Sequence, residues 1–118
     1  NYRQYDPGHI MENIIYNELI CRGYSVDVGV VADRADGKNC QKEIDFIVND
    51  ADRKIYIQSA LEMNDEKKTS SELRSLTLTN DFFKKIVVRM DIPHDFYDEK
   101  GIYHCNLIDF LLDRVNLF

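Results

Sequence analysis

The stretch EIDFIVNDADRKIYIQSA (residues 43–60) decides how this chain folds. Two runs of alternating large apolar residues flank the polar tetrapeptide DADR, and this pattern predicts two β-strands joined by a tight turn. A carboxylate, Asp45, interrupts the first run, and Gln58 interrupts the second run in the same way. The sequence therefore predicts a polar pair inside an otherwise apolar hairpin.

A turn centred on Ala51 and Asp52 sets Asp45 directly opposite Gln58. Facing side chains on one side of a hairpin lie about 4.5 to 5.5 Å apart at Cβ. Because side chains alternate along a strand, we expect one polar and one mainly apolar face: Glu43, Asp45, Gln58 and Ala60 on the first, and Ile44, Phe46, Ile57 and Ser59 on the second. A carboxylate and a carboxamide aimed at one point predict a site for a hard cation such as Mg²⁺.

Length and composition indicate one compact domain over residues 1–118, with 44% hydrophobic and 11% aromatic residues to build its core. No apolar run approaches the roughly 20 residues of a membrane span, so we expect a cytoplasmic domain without a membrane partner. The three cysteines are widely spaced and lack a CxxC pair, which predicts reduced thiols. Because the first residue is Asn1, we interpret the chain as a fragment of a longer protein.

The net charge of −6, with 21 acidic against 15 basic residues, argues against a broad electrostatic surface for nucleic acid. A local basic groove stays open as an interpretation, with candidates in two segments: Lys67, Lys68 and Arg74 in the first, and Lys84, Lys85 and Arg89 in the second. The alternative is that both segments are ordinary solvated faces. The three histidines are scattered without HxxxH or HxH spacing, and we expect none of them to bind metal.

The remaining pattern predicts helices and strands around the hairpin. Residues 9–22 form a helix closed by Gly23, with apolar positions spread so widely that we expect burial on more than one side. Further predictions are a strand at 24–31, a loop at 32–41 with an Asp36-Gly37 turn, a helix at 65–80, a strand at 84–92, an extended piece at 102–104 and a helix at 106–115. This order predicts an α/β domain with a mixed sheet flanked by helices.

The order of a helical glutamate, a strand, EIDF, a turn and a strand ending in an [E/Q]xK-like tripeptide resembles the PD-(D/E)xK nuclease-like superfamily. More closely, four segments resemble the DUF4143-type C-terminal domain of prokaryotic AAA-type ATPases: GHIMENIIYNELICRGYSVDVG, KEIDFIV, KIYIQSA and HCNLIDFLL. The resemblance covers about residues 8–112. It implies a restriction-endonuclease-like fold with an αβββαβ core, and an upstream ATPase domain in the same chain.

The resemblance implies a degenerate catalytic and metal site made of Glu12, Asp45 and Gln58. Glu18 has equally apolar flanks, so only the resemblance selects Glu12; Asp45 could also be an edge-strand charge and Gln58 a structural hydrogen bonder. Ala60 stands where an active nuclease has a lysine, which offsets charge on the phosphate. With Gln58 in place of glutamate, the site implies at most weak Mg²⁺ binding. A relocated lysine would have to replace the missing cation, from Lys42, Lys54 or Lys67.

Three functions follow as hypotheses. The first is a non-catalytic nuclease-fold accessory domain of an AAA-type ATPase that binds nucleic acid or a protein partner. The second is an active Mg²⁺-dependent endonuclease with a relocated lysine. The third is an oligomerisation or docking domain whose sheet edge and apolar tail VNLF (residues 115–118) contact other subunits. Function depends on the site rather than the fold, so Ala60 favours the first.

Overall fold

A computed structural model describes residues 6–34, 39–63 and 65–118. Its helices and strands are α1 (Pro7–Cys21), β1 (Ser25–Asp33), β2 (Cys40–Asp50), β3 (Arg53–Ala60), α2 (Glu66–Thr77), β4 (Lys84–Arg89), β5 (Phe96–Tyr97), β6 (Tyr103–Asn106) and α3 (Leu107–Leu111). The predicted α/β class and the αβββαβ element order are present, whereas the Asp36-Gly37 turn lies outside the described residues. Among the described residues, none of the helices is long and apolar enough to cross a bilayer.

One mixed six-stranded sheet organises the molecule, with the strand order β1-β2-β3-β4-β6-β5. The first three strands are antiparallel neighbours, as a hairpin meander requires. Helix α2 then carries the chain across to β4, which runs parallel to β3, and β6 is parallel to β4. The predicted extended piece is therefore an inner parallel strand, and the two-residue strand β5 covers it as an edge.

Capping residues define both ends of helix α1. The Asp6 carboxylate accepts a hydrogen bond from the Gly8 N–H at 2.9 Å, and Gly23 adopts φ +85° just past the helix end. The helix buries one stripe, formed by Met11, Ile15 and Leu19. The prediction of burial on several sides is wrong in this structure, because the outward apolar side chains are exposed: Ile10, Ile14, Tyr16 and Ile20.

Each side of the sheet has its own apolar core. The α1 and α3 side contains Phe46, Val48, Ile57 and Phe110, and it also receives the C-terminal tail. Val115 and Leu117 of that tail are buried at 5% and 4% exposure, so the tail's apolar side chains serve this core and do not form a free docking segment. The α2 side contains a second cluster: Ile44, Tyr56, Ala60, Met63, Leu73, Leu76, Val87 and Ile102.

The hairpin at residues 43–60 has the predicted register over its closed end. Pairing runs from Asp50 opposite Arg53 to Phe46 opposite Ile57, with Ala51 at φ +57° in the turn. Beyond Phe46 the main-chain pairing of β2 with β3 ends, and the β1–β2 register shifts between Asp27 and Gly29. An irregularity of this kind inserts an extra residue and turns the following side chains to the other face.

This shift makes the predicted division of the hairpin faces wrong. Ile44 packs in the α2-side core and Phe46 in the α1-side core, although a regular strand would place both on one face. Gly29 faces Ile44 at the shift. A Cβ at Gly29 would lie 2.8 Å from Cδ1 of Ile47 and 3.1 Å from Cβ of Ile44, so a larger residue here would force these side chains to move.

Candidate functional site

The open end of the hairpin, where β2 and β3 separate, lines a cavity of about 270 Å³. Glu12 from α1, Asp45 from β2 and Gln58 from β3 all line it. The structure thus brings the three sequence-predicted residues to one place. The N-terminal part of α2 closes the opposite wall with Lys68 and Glu72.

The side chains of Asp45 and Gln58 hold the separated strands together through hydrogen bonds. The Asp45 carboxylate Oδ2 accepts from the Ser59 N–H at 2.9 Å and from the Ser59 hydroxyl at 3.0 Å. In return, the Asp45 N–H donates to Oε1 of Gln58 at 3.1 Å. We call this set of three bonds between Asp45, Gln58 and Ser59 the hairpin clasp. It replaces the main-chain ladder where the strands diverge, which satisfies polar groups that would otherwise be unpaired.

The two predicted partners enter the clasp from different faces of the sheet. Gln58 lies between Tyr56 and Ala60 on β3, and both of these belong to the α2-side core. Asp45 bonds to Ser59, which alternates with Ile57 of the α1-side core, and Asp45 also lines a cavity with Glu12 and Tyr16 of α1. The prediction that Asp45 and Gln58 share one face is therefore wrong, and the register shift in β2 is the cause.

Glu12, rather than Glu18, is the α1 carboxylate near Asp45. Glu18 instead accepts from Arg22 at 2.7 Å, within the same helix. Burial, followed by the nearby Asp45 charge, raises the pKa of Glu12, while a contact with His9 at 3.3 Å acts in the opposite direction. Burial also raises the pKa of Asp45; the two bonds from Ser59 oppose this shift, and the charge of Glu43 adds to it. The site therefore disfavours two full negative charges.

Hydrogen bonds already engage part of the donor set that the resemblance assigns to a Mg²⁺ ion. This cation takes nearly ideal octahedral oxygen coordination, usually from one or two carboxylates together with several waters. Here Oδ2 of Asp45 already accepts two hydrogen bonds and Oε1 of Gln58 accepts one. Within residues 6–34, 39–63 and 65–118, no group of three or more His, Cys, Asp or Glu side chains is arranged to hold a metal ion.

The position of the missing lysine is filled by core packing. Ala60 is 5% exposed and belongs to the α2-side core with Leu73 and Leu76, and it also lines the cavity, where its methyl group carries no charge. Of the described lysines, Lys68 is the one that lines the cavity. Sequence reasoning missed it as a relocated cation, since α2 is brought to the site only by the crossover between β3 and β4.

The three lysines proposed for relocation do not line this cavity. Lys54 lies near the other end of β3, with Nζ over the rings of Tyr56 at 5.2 Å and Phe83 at 5.1 Å. Lys42 lies on β2 opposite Val31, and Lys67 is exposed on α2. These lysines are close to the site residues in the sequence, but the fold does not place them at the cavity.

The two basic segments do not combine into one groove. Arg74 pairs with Asp33 at 2.9 Å, and Lys85 pairs with Asp81 at 3.1 Å. Arg89 is buried at the opposite end of β4 from Lys84 and Lys85. Within the second segment, strand direction therefore separates Arg89 from Lys84 and Lys85.

A buried network around His104 was also missed from the sequence. Its Nδ1 lies 3.1 Å from Nη1 of Arg89, and its Nε2 lies 2.8 Å from Oδ2 of Asp98. Since a guanidinium group only donates, Nδ1 accepts and Nε2 carries the hydrogen. Arg89 also donates to both carboxylate oxygens of Asp91, and Phe96 stacks on the His104 ring at 4.6 Å. The network borders a second cavity of about 510 Å³.

The cysteines take no part in these sites. All three are free, with Cys21 and Cys40 exposed and Cys105 buried. Burial raises the pKa of the Cys105 thiol to about 12. At neutral pH this thiol is protonated and behaves as a small apolar side chain.

Comparisons with known proteins agree with the resemblance at the family level. The profile of the family described as "Domain of unknown function (DUF4143)" matches residues 7–104. An uncharacterized protein of Haemophilus influenzae is 37% identical over 105 residues, which cover 86% of this chain and 22% of the relative. No solved structure is matched. Because the profile covers most of the chain, this protein belongs to the DUF4143 family.

Proposed function

We propose that this domain is a binding module with a degenerate PD-(D/E)xK nuclease-like fold, and that it does not cleave nucleic acid by itself. The hairpin clasp is the observation that carries the proposal. Two of the three residues that the resemblance assigns to a metal site, Asp45 and Gln58, hold the diverging strands together. A hydrogen bond to a charged group contributes about 1.5 to 3 kcal/mol, so the clasp gives these side chains a structural role of substantial size.

The environment of Ala60 supports the same conclusion. Phosphodiester cleavage places negative charge on the phosphate in the transition state, and a cationic group there contributes several kcal/mol. Ala60 supplies no charge, and its methyl group is buried in the core. Loss of about 3 to 4 kcal/mol slows a reaction by roughly two to three orders of magnitude.

The proposal includes a larger context. The chain spans 22% of the length of the Haemophilus influenzae relative, which fits one domain of a longer protein. Together with the resemblance described above, this supports a cytoplasmic AAA-type ATPase with the present domain near its C-terminus. ATP hydrolysis by the full-length protein tests that context, and a full-length protein that neither binds nor hydrolyses ATP would contradict it.

The cleavage proposal is tested with labelled single-stranded and duplex DNA and with RNA, in the presence of Mg²⁺ or Mn²⁺. The matched control is Asp45→Asn, which removes the negative charge and keeps an oxygen that can accept from Ser59. We expect equal, negligible cleavage by both proteins. Metal-dependent cleavage that is present in the wild type and lost in Asp45→Asn would overturn the proposal.

A second candidate function is supported by Lys68. This lysine lines the same cavity as Glu12 and Asp45, so it could supply the cation that Ala60 cannot. A metal-dependent endonuclease would then use a lysine from α2. Lys68→Gln tests the idea, with the adjacent exposed Lys67→Gln as the matched control. Cleavage that is lost only in Lys68→Gln would favour this function, whereas equal rates in both variants would exclude it.

A further inference from the structure

Strand β1 (Ser25–Asp33) is an edge of the sheet, with β2 as its strand neighbour. An edge strand presents a row of main-chain N–H and C=O groups that no neighbouring strand binds. At the other edge of the described sheet, β5 has two residues and offers a short row, whereas β1 has nine. Strand β1 is therefore the edge that is long enough to pair with a further strand.

The sequence of β1, SVDVGVVAD, lacks the residues with which proteins usually prevent pairing at an edge. It contains no lysine and no proline, and its charged residues are Asp27 and Asp33. Asp33 is 7% exposed and pairs with Arg74 at 2.9 Å, so its charge is already compensated within the molecule. Asp27 is the one exposed charge on this strand.

The backbone of β1 is regular, because the irregularity between β1 and β2 belongs to β2. Two steps along β1, from Asp27 to Gly29, correspond to three steps along β2, from Ile47 to Ile44, so the extra residue lies in β2. A bulge can blunt an edge strand, but this one lies in the inner strand. A further strand can therefore pair along the whole length of β1.

Apolar side chains are exposed along this edge on the α1 side of the sheet. Val26 packs against the α1-side core, and alternation places Val28 and Val30 on the same side. Val28 and Val30 are 63% and 55% exposed. Val28 also lines an open cavity of about 340 Å³ together with the exposed ring of Tyr16. Exposed apolar groups beside an unpaired edge are typical of a surface that another chain covers.

We infer that β1 pairs with the β1 strand of a second copy of this chain, antiparallel and about a two-fold axis. A two-fold axis perpendicular to the sheet brings identical edges together and makes the two strands antiparallel. The two six-stranded sheets then form one continuous sheet, with helix α1 of both copies on the same side.

Pairing centred on Gly29 is the register in which all nine residues of each strand overlap, and a shift of the centre by one residue leaves two residues of each strand without a partner. On the α1 side this register sets Val28 opposite Val30 of the second copy, and Val26 opposite Ala32. Facing side chains on one side of antiparallel strands are close enough to pack against each other. The exposed valines therefore bury one another.

The charges of β1 are compatible with the same register. Asp27 faces Val31 of the second copy, and Asp33 faces Ser25. Centring the pairing on Val30 would set Asp27 opposite Asp33, and centring it on Asp27 would set that carboxylate opposite its own copy. Like charges directly opposite each other are destabilising. Charge and length thus favour the same register.

The pairing supplies enough hydrogen bonds for a specific interface. Each hydrogen-bonded residue pair of an antiparallel ladder exchanges two N–H···O=C bonds, so strands of this length supply about eight to ten. A typical protein interface has about ten direct hydrogen bonds. An extended segment of another protein would form the same ladder. The match of β1 with itself, in valine pairs and in charges, favours the second copy.

This inference goes beyond the proposed function and does not rest on it. Pairing through β1 needs neither the hairpin clasp nor a nucleic acid. An active nuclease and a non-catalytic binding module could both associate in this way. The oligomeric state and the cleavage test are therefore independent measurements.

The test traps the inferred register with a disulfide in the full-length protein. Val28→Cys/Val30→Cys is made in a background in which the exposed native cysteines are replaced, Cys21→Ser and Cys40→Ser. Residues 28 and 30 of one strand are about 7 Å apart and do not join each other. Under mild oxidation we expect a reducible covalent dimer on non-reducing electrophoresis, because residue 28 of one copy faces residue 30 of the other.

The matched controls are the two single-cysteine variants, Val28→Cys and Val30→Cys, in the same background. Identical residues of the two copies lie diagonally, about 7 to 8 Å apart, whereas a disulfide needs a Cβ separation of about 3.5 to 4.5 Å. We therefore expect about fivefold less covalent dimer from either single variant than from the double variant. Circular dichroism melts verify that each variant is folded.

Val30→Lys measures the contribution of the paired edge without a cross-link. A lysine here would lose water between facing valines, and natural edge strands use lysine to prevent pairing. Sedimentation velocity of the full-length protein is expected to show about tenfold weaker self-association. Ile108→Lys, at a similarly exposed apolar position of α3, is the control and should change self-association less than about twofold.

Several results would overturn the inference. One is the absence of a covalent dimer from Val28→Cys/Val30→Cys, and another is equal dimer from this variant and the single-cysteine variants. A third is equal self-association of Val30→Lys and Ile108→Lys. A monomeric full-length protein in which both engineered cysteines are protected from a maleimide would assign the edge to another part of the same chain. None of these results bears on Asp45-dependent cleavage, which tests the proposed function.

Discussion

The Asp45 carboxylate accepts two hydrogen bonds from Ser59, one from its N–H at 2.9 Å and one from its hydroxyl at 3.0 Å. These bonds join β2 to β3 at the point where their main-chain pairing has ended. In this position the Asp45 carboxylate replaces main-chain hydrogen bonds between the two strands. Removing it should therefore lower the free energy of unfolding, independently of any effect on catalysis.

Asp45→Ala is expected to lower the free energy of unfolding by about 2 to 4 kcal/mol, because two Ser59 donors lose their charged acceptor. Urea denaturation followed by circular dichroism measures the change. Asp52→Ala, at an exposed turn position of the same hairpin, is the matched control and should stay within about 0.5 kcal/mol of wild type. Equal free energies of unfolding for Asp45→Ala and Asp52→Ala would show that the hairpin clasp does not stabilise the fold.

Glu12→Gln is expected to stabilise the protein at pH 7. Burial and the Asp45 charge raise the pKa of Glu12 in the folded state, so the folded protein binds this proton more tightly than the unfolded chain. Stability must then fall as pH rises through the two pKa values, and the ionised carboxylate is unfavourable at neutral pH.

The gain in Glu12→Gln should disappear below the unfolded pKa of about 4.3, where the wild-type carboxyl is also neutral. Thermal melts at pH 7 and pH 4 measure the difference. Glu18→Gln provides the opposite control, since it removes the ion pair with Arg22 at 2.7 Å and should not stabilise. A destabilised Glu12→Gln at pH 7 would contradict the prediction.

Arg89→Gln is expected to cost about 2 to 4 kcal/mol of stability, because it removes the donors to Asp91 and to Nδ1 of His104. Arg114→Gln, at an exposed ion pair with Asp109, is the control and should cost about 0.5 kcal/mol or less. Chemical denaturation at neutral pH compares the two. A loss no larger than that of the control would show that the buried network is dispensable.

The same Arg89 contacts predict a pH effect. Hydrogen bonds from Arg89 lower the pKa of Asp91 to about 2, below the usual value of 3.8. The folded state therefore binds this proton less tightly, and the associated stability is present above pH 3.8 and lost as pH falls toward 2. In Arg89→Gln this contribution to the acid limb of a plot of stability against pH should be smaller, and only the part from the Met63 N–H, which also donates to Asp91, should remain.

Gly29→Ala is expected to destabilise the protein by about 1 to 3 kcal/mol through overpacking. The added Cβ would lie 2.8 Å from Cδ1 of Ile47 and 3.1 Å from Cβ of Ile44, where β1 and β2 approach closely. Gly8→Ala is the control, because its nearest contact is the end of the Asp6 side chain at 3.3 Å. Thermal melts compare the two variants. If Gly29→Ala is as stable as the Gly8→Ala control, β1 can move away from β2 without loss of stability.

Local signals in the sequence predicted much of this fold. Alternation of apolar residues on both sides of DADR gives the register from Asp50 opposite Arg53 to Phe46 opposite Ile57, since the period of two and the turn act within one hairpin. The start of α2 near residue 65 and Gly23 after α1 follow from capping chemistry in the same way. The family resemblance selected Glu12, and the structure places it beside Asp45.

Only the tertiary structure decided what the candidate site residues do. The β1–β2 register shifts at Gly29, and Ile44 lies on the opposite face from Phe46. Lys68 reaches the cavity because α2 forms the crossover between the parallel strands β3 and β4. The periodicity of the sequence indicates which side of its own strand or helix a residue occupies. Which elements become neighbours depends on contacts between distant parts of the chain, so the hairpin clasp forms only when the sheet is assembled.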